Sequence, residues 1–232
     1  MQKIKSKKII LKNEFITLDG HPRVYGSQIP VVGLTGGIAS GKSTVSTLLK
    51  EKGLPVICGD NLTKEIYKEN ESLDFISNHF PHCMGVSTSG GAIGIDFPSL
   101  RKEFFNNLKS KQIIENYIWS KHPIYFHKVL ANLDTNNFVI YDYPIIFEQK
   151  LDHLFDLILV VYADFETQKK RLKLRDGIDD LLAQNILATQ LPMEQKIKLV
   201  NKSQIIDNCG DSKALELEVE RFFNDFLYIK TT

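Results

Sequence analysis

The stretch from residue 36 to residue 43 reads GGIASGKS, the complete Gly-x4-Gly-Lys-Ser pattern of a phosphate-binding loop. An apolar run (IPVVGLT) precedes it and a helical run (STVSTLLKEKG) follows it, so a strand should aim the loop and a helix should begin near Gly41. Backbone N–H groups of such a loop bind phosphate oxygens. We expect Lys42 to contact the β- and γ-phosphates and the Ser43 hydroxyl to coordinate Mg²⁺. The loop predicts a site for a nucleoside triphosphate.

Two aspartates follow predicted strands, where a carboxylate can handle a proton or a metal ion. Asp60 follows the strand LPVIC and opens a helical run, so it could act as a general base or as a helix cap, and position alone does not separate these roles. Asp142 ends the strand FVIYD, and we favour a role in holding Mg²⁺ opposite Ser43 over a simple strand exit. Glu148 closes the segment PIIFE and is best explained as an acidic residue in the first turn of a helix.

Two arginines stand four residues apart on a predicted helix, ETQKKRLKLRD. Because of that spacing, Arg171 and Arg175 should project from one face. Their planar guanidinium groups suit phosphate oxygens and could stabilise charge on a transferred phosphoryl group. Surface helices also carry such pairs for solubility alone, and from the residues by themselves that simpler explanation leads.

Five apolar runs alternate with helical segments, which predicts βα units and an α/β fold with a mainly parallel five-stranded sheet. The runs lie at about 30–35, 54–58, 138–142, 156–162 and 203–206. The second and third runs are separated by roughly 80 residues, too many for a loop. Helices are predicted there at 71–80, 98–109 and 111–133, the last broken or bent at Pro123. The Gly- and Ser-rich residues 83–95 predict a mobile loop, and the polar helical stretch 165–200 is placed where a lid over nucleotide would lie.

Composition argues against several kinds of partner. A net charge of +1 gives no basic field for nucleic acid. The apolar runs are about half the length of a membrane span, and the first residues lack the apolar core of a secretory signal. Cys58, Cys83 and Cys209 are too far apart for a disulfide framework or a zinc site. We therefore expect a cytoplasmic protein, a monomer or weak homo-oligomer, without nucleic acid or membrane partners.

Residues 1–29 precede the phosphate-loop strand and do not fit the βα pattern. Five lysines lie among the first 12 residues. They could touch an acidic partner, but charge runs are more often a solvated surface. We interpret this segment as a surface extension without a function.

Together these segments resemble the dephospho-coenzyme A kinase family over residues 31 to about 226. The strings that carry the resemblance are GLTGGIASGKSTV, Asp60 after the second strand, Leu100-Arg101 with Phe104, His122-Pro123, DYPIIFE, Gln168 with Arg171 and Arg175-Asp176, Gln190, and IIDNCG at 205–210. Ordinary nucleotide kinases share the phosphate loop, but not HP, PIIFE, Q-x2-R-x3-RD and IIDNxG in this order.

The resemblance implies a nucleoside-monophosphate-kinase-like P-loop fold in which ATP and Mg²⁺ serve to phosphorylate the ribose 3′-hydroxyl of dephospho-CoA, the last step of coenzyme A synthesis. It divides the chain into an extension, a nucleotide-binding core, a helical acceptor domain and a lid. The extension is 1–29, and the core is 30–69 with 135–164 and 201–232. The acceptor domain is 70–134, and the lid is 165–200.

The resemblance also implies roles for individual residues. Asp60 matches the proposed base, and Lys42, Arg171 and Arg175 would act with it on the phosphoryl group. Acceptor binding would use Asp60, Lys64, Arg101 and His122. ATP binding would use Gly37, Ala39, Ser40, Gly41, Lys42, Ser43, Thr44, Asn208 and Gly210, although Asn and Gly also suit a turn for its backbone shape alone.

Three departures from the family pattern stand out. Cys58 occupies the position of a usual aspartate, Lys64 that of a usual arginine, and Lys202-Ser203 that of a usual Ala-Asp pair. Lys64 keeps the charge but loses bidentate geometry. A different small-molecule or nucleotide kinase is the first alternative, although Arg101 is the only arginine in 70–130. A nucleotide or CoA sensor without turnover is the second, supported only by Cys58.

Overall fold

Nine strands form three sheets in the computed structural model, which describes residues 7–86, 92–133 and 137–231. The strands are β1 (Lys7–Leu11), β2 (Val31–Gly36), β3 (Val56–Cys58), β4 (Met84–Val86), β5 (Ala92–Ile95), β6 (Val139–Asp142), β7 (Leu157–Tyr162), β8 (Ile205–Asp207) and β9 (Leu227–Thr231). The largest sheet has the order β3-β6-β2-β7-β8, and all its neighbouring strands are parallel. The two smaller sheets are the antiparallel pairs β1-β9 and β4-β5. Each of the five predicted strands overlaps one strand of the large sheet, so the α/β fold is confirmed.

Helices cover the faces of the parallel sheet. The helices of the described residues are α1 (Lys42–Glu51), α2 (Gly59–Ile66), α3 (Asn70–His79), α4 (Phe97–Asn106), α5 (Leu108–Leu130), α6 (Phe165–Asp176), α7 (Asp180–Leu187), α8 (Met193–Lys196) and α9 (Ser212–Phe226). The central strands β2 and β6 are buried along their whole length, as expected where helices cover a parallel sheet. Leu49 of α1 and Phe222 of α9 lie in one apolar cluster with Leu34 of β2. The phosphate-loop strand therefore stands in the middle of the core.

The chain divides into two compact units, the smaller of which is Gly59–Ala131. It contains α2 to α5 and the pair β4-β5, and it has an apolar core of its own. That core includes Ile66, Ile76, Phe80, Leu100, Ile114 and Ile118. The rings of Phe75 and Tyr117 stack beside it, with centroids 3.9 Å apart. This helical unit occupies the long insertion that the sequence predicted between the second and third strands of the sheet.

Two expectations for this unit are corrected. Pro123 was expected to break or bend its helix, and the break is wrong, because α5 is continuous from Leu108 to Leu130. Ile118, His122 and Phe126 are buried at a spacing of four residues, so packing on both sides of Pro123 compensates for the backbone hydrogen bond that proline cannot make. The ends of the expected loop 83–95 form the strands β4 and β5, while residues 87–91 lie outside the described ranges.

The stretch 165–200 is helical, as predicted, and its helix ends carry clear signals. Asp164 accepts a hydrogen bond from the N–H of Thr167 and caps α6, which ends at Gly177 in a left-handed conformation (φ 66°). Asp179 caps α7 in the same way. Across the described ranges, every helix is too short or too polar to cross a bilayer.

Residues 7–29 do not form the solvated surface arm that the lysine run suggested. Leu11 and Val24 are buried, and β1 pairs with β9 along its length. Arg23 donates two hydrogen bonds, of 2.7 and 2.9 Å, to the buried carboxylate of Asp156. The interpretation failed because it weighed the lysines and not the apolar residues between them, which are what the larger unit buries.

Candidate active site

The phosphate loop joins the buried end of β2 to the first turn of α1. Its backbone is left-handed at Ala39 (φ 59°) and at Gly41 (φ 91°). A Cβ atom on Gly41 would collide with Asn208 Nδ2, so only glycine fits at that position. The first N–H groups of α1 have no partner within the helix and lie at its positive end. The predicted ATP residues Gly37, Ala39, Ser40, Gly41, Lys42, Ser43 and Thr44 all belong to this loop and helix turn.

Three side-chain amides from later segments hold the loop. Gln190 Oε1 accepts a hydrogen bond from the Ile38 N–H (2.9 Å), and Gln168 Nε2 donates to the Ile38 carbonyl (2.6 Å). Asn208 Nδ2 donates to the Ser40 carbonyl (2.7 Å). Amide side chains can donate or accept, and here one of them holds the N–H of Ile38 while another holds its carbonyl. The loop therefore has a defined shape before any phosphate binds.

Asp142 and Lys42 form a buried ion pair beside the loop. Asp142 lies at the carboxyl end of β6, opposite Leu34 of β2, and its side chain is 3% exposed. Lys42 donates to Asp142 Oδ1, while Ser43 in the same helix turn is exposed. A hydroxyl and a carboxylate are oxygen ligands of the kind that Mg²⁺ prefers. No group of three or more His, Cys, Asp or Glu side chains within the described ranges could hold a metal ion by itself, so a bound Mg²⁺ would also need oxygens of the nucleotide and water.

The two predicted lid arginines differ in their surroundings. Arg171 Nη1 is buried without a hydrogen-bond partner among the described residues, and it lies 3.9 Å from where a Cβ on Gly41 would stand. Arg175 is 61% exposed and binds the carboxylate of its neighbour Asp176 at 2.7 and 2.9 Å. The structure therefore brings Arg171, and not Arg175, to the phosphate loop.

Lys196 is a site residue that the sequence analysis missed. It is fully buried at the end of α8, and its Nζ atom lies 2.8 Å from Glu148 Oε1. It also donates to the carbonyls of Gly36 (3.3 Å) and Pro144 (3.4 Å). Burial lowers the pKa of the Lys196 ammonium from its usual value, and the hydrogen bond to Glu148 opposes that change. Nothing in its neighbourhood in the chain distinguishes it from a surface lysine.

The expected role of Glu148 is corrected. It was interpreted as an acidic residue in the first turn of a helix, but residues 144–150 form turns. Its Oε1 atom accepts the Leu191 N–H (3.1 Å) in addition to the Lys196 ammonium. The carboxylate is therefore used by a distant segment of the chain and not by its own helix.

Asn208 and Gly210 follow β8. Asn208 is buried, and besides holding the loop its N–H donates to the Tyr162 carbonyl (2.8 Å). Gly210 lies in the bend before α9, where a Cβ would approach Ala214 Cβ to 3.0 Å. Asn208 thus has a structural role at the loop, and the assignment of both residues to ATP binding stays a prediction.

The remaining predicted residues lie in the smaller unit. His122 is buried, and its Nε2 atom is 2.9 Å from Thr63 Oγ1; burial lowers its pKa to about 4, which leaves it neutral at pH 7. Asp60 and Lys64 are exposed on α2, and Arg101 is exposed on α4. In the described part of the chain, no backbone N–H donates a capping hydrogen bond to Asp60, which already lies inside the first turn of α2. The helix-cap alternative therefore gains no support.

Comparisons with known proteins identify related sequences. A family model described as dephospho-CoA kinase matches residues 30–214, which include the phosphate loop, Lys196 and Asn208. A dephospho-CoA kinase of Fusobacterium nucleatum is 37% identical over 201 residues, which cover 84% of this chain and 97% of that protein. One from Carboxydothermus hydrogenoformans is 34% identical, over 82% of this chain and 91% of that protein.

Solved structures show the same fold. A dephospho-CoA kinase from Campylobacter jejuni matches with a TM-score of 0.59 at 25% identity, over 84% of this chain and 96% of that one. A Thermus thermophilus protein matches with a TM-score of 0.71 at 24% identity, over 85% of this chain and 96% of that one. The strands β1 and β9 lie outside the residues that the family model matches.

Proposed function

The chain belongs to the dephospho-CoA kinase family. We propose that it transfers the γ-phosphoryl group of ATP to the ribose 3′-hydroxyl of dephospho-CoA. The product is coenzyme A, and the reaction is the last step of its synthesis. Family membership makes the chain a kinase that uses a nucleoside triphosphate. The acceptor, the hydroxyl position and the metal ion are parts of the proposal.

The phosphate loop supports the proposal most directly. Ser40 Oγ and Arg171 Nη1 are buried at the loop and make no hydrogen bond to any residue that the structure describes. Buried polar groups without partners are uncommon in proteins. Phosphate oxygens are strong acceptors that would satisfy both groups. The loop therefore fits a phosphate chain better than it fits its own protein surroundings.

We assign the phosphoryl group to Lys42 and Arg171. In the reaction, the 3′-oxygen of the acceptor forms a bond to the γ-phosphorus, the bond from that phosphorus to the bridging oxygen breaks, and ADP leaves with the electron pair. Lys42 would stabilise charge on the β- and γ-oxygens, and Arg171 would do so on the transferred group. Ser43 and Asp142 would hold Mg²⁺, which neutralises charge on the same oxygens when bound. Arg175 is paired with Asp176 on the surface of the proposed lid. It would act on the transferred group only if lid movement broke that pair.

We assign the acceptor hydroxyl to Asp60, which would take its proton as a general base. Asp60 lies two residues after Cys58, the last residue of β3, and Cys58 pairs in register with Asp142 of β6. Asp60 therefore follows the carboxyl end of β3 directly in the chain. Its exposure leaves the carboxylate accessible to a substrate.

The smaller unit is proposed to bind the acceptor through Lys64, Arg101 and His122, with Asp60. A neutral His122 suits this role, because a neutral imidazole can accept or donate one hydrogen bond without adding charge. Cys58 cannot carry the charge of the aspartate usual in the family, so acceptor affinity is the property that this departure should change. The unit Gly59–Ala131, which includes Asp60 and Lys64, replaces 70–134 as the proposed acceptor domain, and 165–200 is kept as the proposed lid. The three cysteines are unpaired, which supports the expected cytoplasmic location.

The decisive test is a panel of acceptors. Purified protein with ATP and Mg²⁺ is given dephospho-CoA, AMP, CMP or shikimate, and products are identified by mass and by the position of the new phosphate. We expect a 3′-phosphorylated product from dephospho-CoA alone. Equal or faster turnover of a nucleoside monophosphate would refute the assigned acceptor. ATP binding without any product would favour a sensor.

The role of Asp60 can be tested separately. Asp60→Asn should lower kcat by roughly 10²–10⁴-fold, the usual size of a general-base contribution, with little change in ATP affinity or stability. Asp74→Asn, at an exposed position of α3, is the matched control and should be silent. If Asp60 acted only as a cap, Asp60→Asn would be nearly silent, and Asp60→Ala would cost about 1 kcal/mol of stability instead.

A further inference from the structure

We propose that Lys196 and Glu148 are positioning residues for phosphoryl transfer: their ion pair, whose lysine is fully buried, fixes the start of the phosphate loop to the segment 190–196. The inference rests on the proposed function, since it concerns the same site. It assigns a role to a lysine that touches neither nucleotide nor acceptor, because its side chain is fully buried. The pair can therefore act only through the loop and the segments that it holds.

The surroundings of Lys196 use its full donor capacity. An ammonium group has three N–H donors and no acceptor. Its three neighbours are Glu148 Oε1 at 2.8 Å, the Gly36 carbonyl at 3.3 Å and the Pro144 carbonyl at 3.4 Å. No donor remains for a substrate. The ammonium therefore links three segments of the protein and cannot be a catalytic group.

The segments that Lys196 links are those that carry the phosphate site. Gly36 is the last residue of β2 and the first of the loop. Pro144 lies two residues after Asp142, and its carbonyl also accepts a hydrogen bond from Thr35 Oγ1 (2.9 Å). A displacement of Lys196 would therefore disturb the position of the loop and of the carboxylate that binds Lys42.

Glu148 extends the connection along the segment 190–196. Its Oε1 atom accepts the Leu191 N–H at 3.1 Å, and the neighbouring Gln190 accepts the Ile38 N–H at 2.9 Å. The segment thus holds the loop at two places, Ile38 through Gln190 and Gly36 through Lys196. Movement of this segment and the shape of the loop are coupled through these contacts.

The pair is not built for stability alone. Glu148 Oε2 is buried and has no hydrogen-bond partner in the residues that the structure describes. Removing two charges from water is costly, and apolar side chains of similar size often stabilise a protein as well or better. A fully buried lysine whose partner keeps a buried oxygen without a hydrogen bond, next to a catalytic loop, is better explained by what the pair positions.

The test uses three variants and one control. Lys196→Met leaves the Glu148 carboxylate without its cation, so it is accompanied by Glu148→Gln and by the double variant, in which neither charge remains. Lys173→Met is the control, because Lys173 forms a surface ion pair with Asp180 on the lid helices. For each protein, kcat, the KM values for ATP and dephospho-CoA, and the Kd of a non-hydrolysable ATP analogue are measured together with unfolding.

We expect each of the three variants to raise the KM for ATP and the Kd of the analogue about 10-fold or more and to lower kcat, because small displacements of a positioned group have large kinetic effects. The KM for dephospho-CoA should be unchanged, and Lys173→Met should resemble the wild type. Lower stability with unchanged ATP affinity and kcat in the folded double variant, or in folded Glu148→Gln, would overturn the proposal. If the wild type fails to phosphorylate dephospho-CoA, the proposed function fails, while the analogue Kd still decides the role of the pair.

Discussion

Buried carboxylates stand at opposite ends of the parallel sheet, and they are held in opposite ways. Asp142 closes β6 at the carboxyl end, while Asp156 immediately precedes β7 at the amino end. Both residues are almost inaccessible, at 3% and 4% exposure, and both are paired with a cation. Burial and charge pairing alone would therefore not tell them apart.

Asp156 has every acceptor position filled. Arg23 donates to both of its oxygens, the Leu18 N–H donates to Oδ1 (3.1 Å), and the Val31 N–H donates to Oδ2 (2.9 Å). A carboxylate offers about four such positions. Burial by itself raises the pKa of Asp156, and the hydrogen bonds from Arg23, Val31 and Leu18 outweigh it, so the pKa lies below its usual value.

The carboxylate of Asp142 has one hydrogen-bonding partner among the described residues, the ammonium of Lys42. A lysine is a flexible point charge that can turn to another anion, whereas the arginine fork on Asp156 is fixed at two points. The number of unfilled acceptor positions, and not burial, therefore distinguishes a carboxylate that can bind a ligand from one that stabilises the fold.

The largest effect should come from substitution at the amino end of the sheet. Asp156→Asn leaves the guanidinium of Arg23, whose side chain is 9% exposed, without its counter-charge, and breaking a buried pair in this way costs about 3–5 kcal/mol of unfolding free energy. Chemical denaturation measures this loss, and kcat at low temperature should stay near the wild-type value. A stability change below about 1 kcal/mol would show that the pair of Arg23 and Asp156 contributes no more than an exposed ion pair.

Substitution of Asp142, at the carboxyl end of the sheet, should instead affect activity more than stability. Asp142→Asn is expected to lower kcat by about 10²–10³-fold, the cost of removing one preorganised electrostatic contact. The loss of stability should be smaller than for Asp156→Asn, because the Lys42 ammonium is a flexible point charge that can turn toward water. Lys42→Ala should do likewise, with Lys50→Ala on the exposed side of α1 as its control. Steady-state kinetics and chemical denaturation on the same preparations measure kcat and the free energy of unfolding of each variant. An active Asp142→Asn enzyme would remove Asp142 from the metal and phosphate site.

A smaller effect separates the two lid arginines by the same criterion of unfilled hydrogen bonds. Arg171→Ala, which removes a buried donor without a partner in the described residues, should lower kcat by about 10²-fold. Arg175→Ala breaks only an exposed pair with Asp176, which contributes about 0–1 kcal/mol to stability, and we expect a weaker kinetic effect. If the Arg175 variant lost more activity, the lid would have to close in a way that frees Arg175 from Asp176.

The smallest effect is a pH dependence. The folded-state pKa of Asp156 is lowered, so its contribution is complete above the unfolded-state pKa of about 3.9 and is lost as the pH falls through the folded-state value. The difference in unfolding free energy between the wild type and Asp156→Asn should therefore narrow as the pH falls below about 4. Denaturation at a series of pH values from neutral to acidic measures it. A constant difference across the series would show that the carboxylate is not preferentially ionised in the fold.

The sequence predicted those parts of the site that depend on local pattern. The phosphate loop, the five strands and the position of Asp142 at a strand end follow from residues adjacent in the chain. The partners of Lys196 could not be predicted, because Gly36 is 160 residues away and Pro144 is 52 residues away. Arg23 could not be matched with Asp156, 133 residues later, for the same reason. Pro123 does not break α5, because packing on either side of it outweighs its local propensity.

The β1-β9 pair has a consequence for how the protein is made. Lys12, just after β1, donates to carbonyls 212 and 213 residues later, at the end of α9. During synthesis β1 therefore leaves the ribosome long before β9 exists, and its run Ile9-Ile10-Leu11 has no strand to pair with in the interval. Lysines flank that run on both sides. Charges beside an apolar strand oppose aggregation while the strand is unpaired, and we expect Lys7, Lys8 and Lys12 to protect the nascent protein in this way.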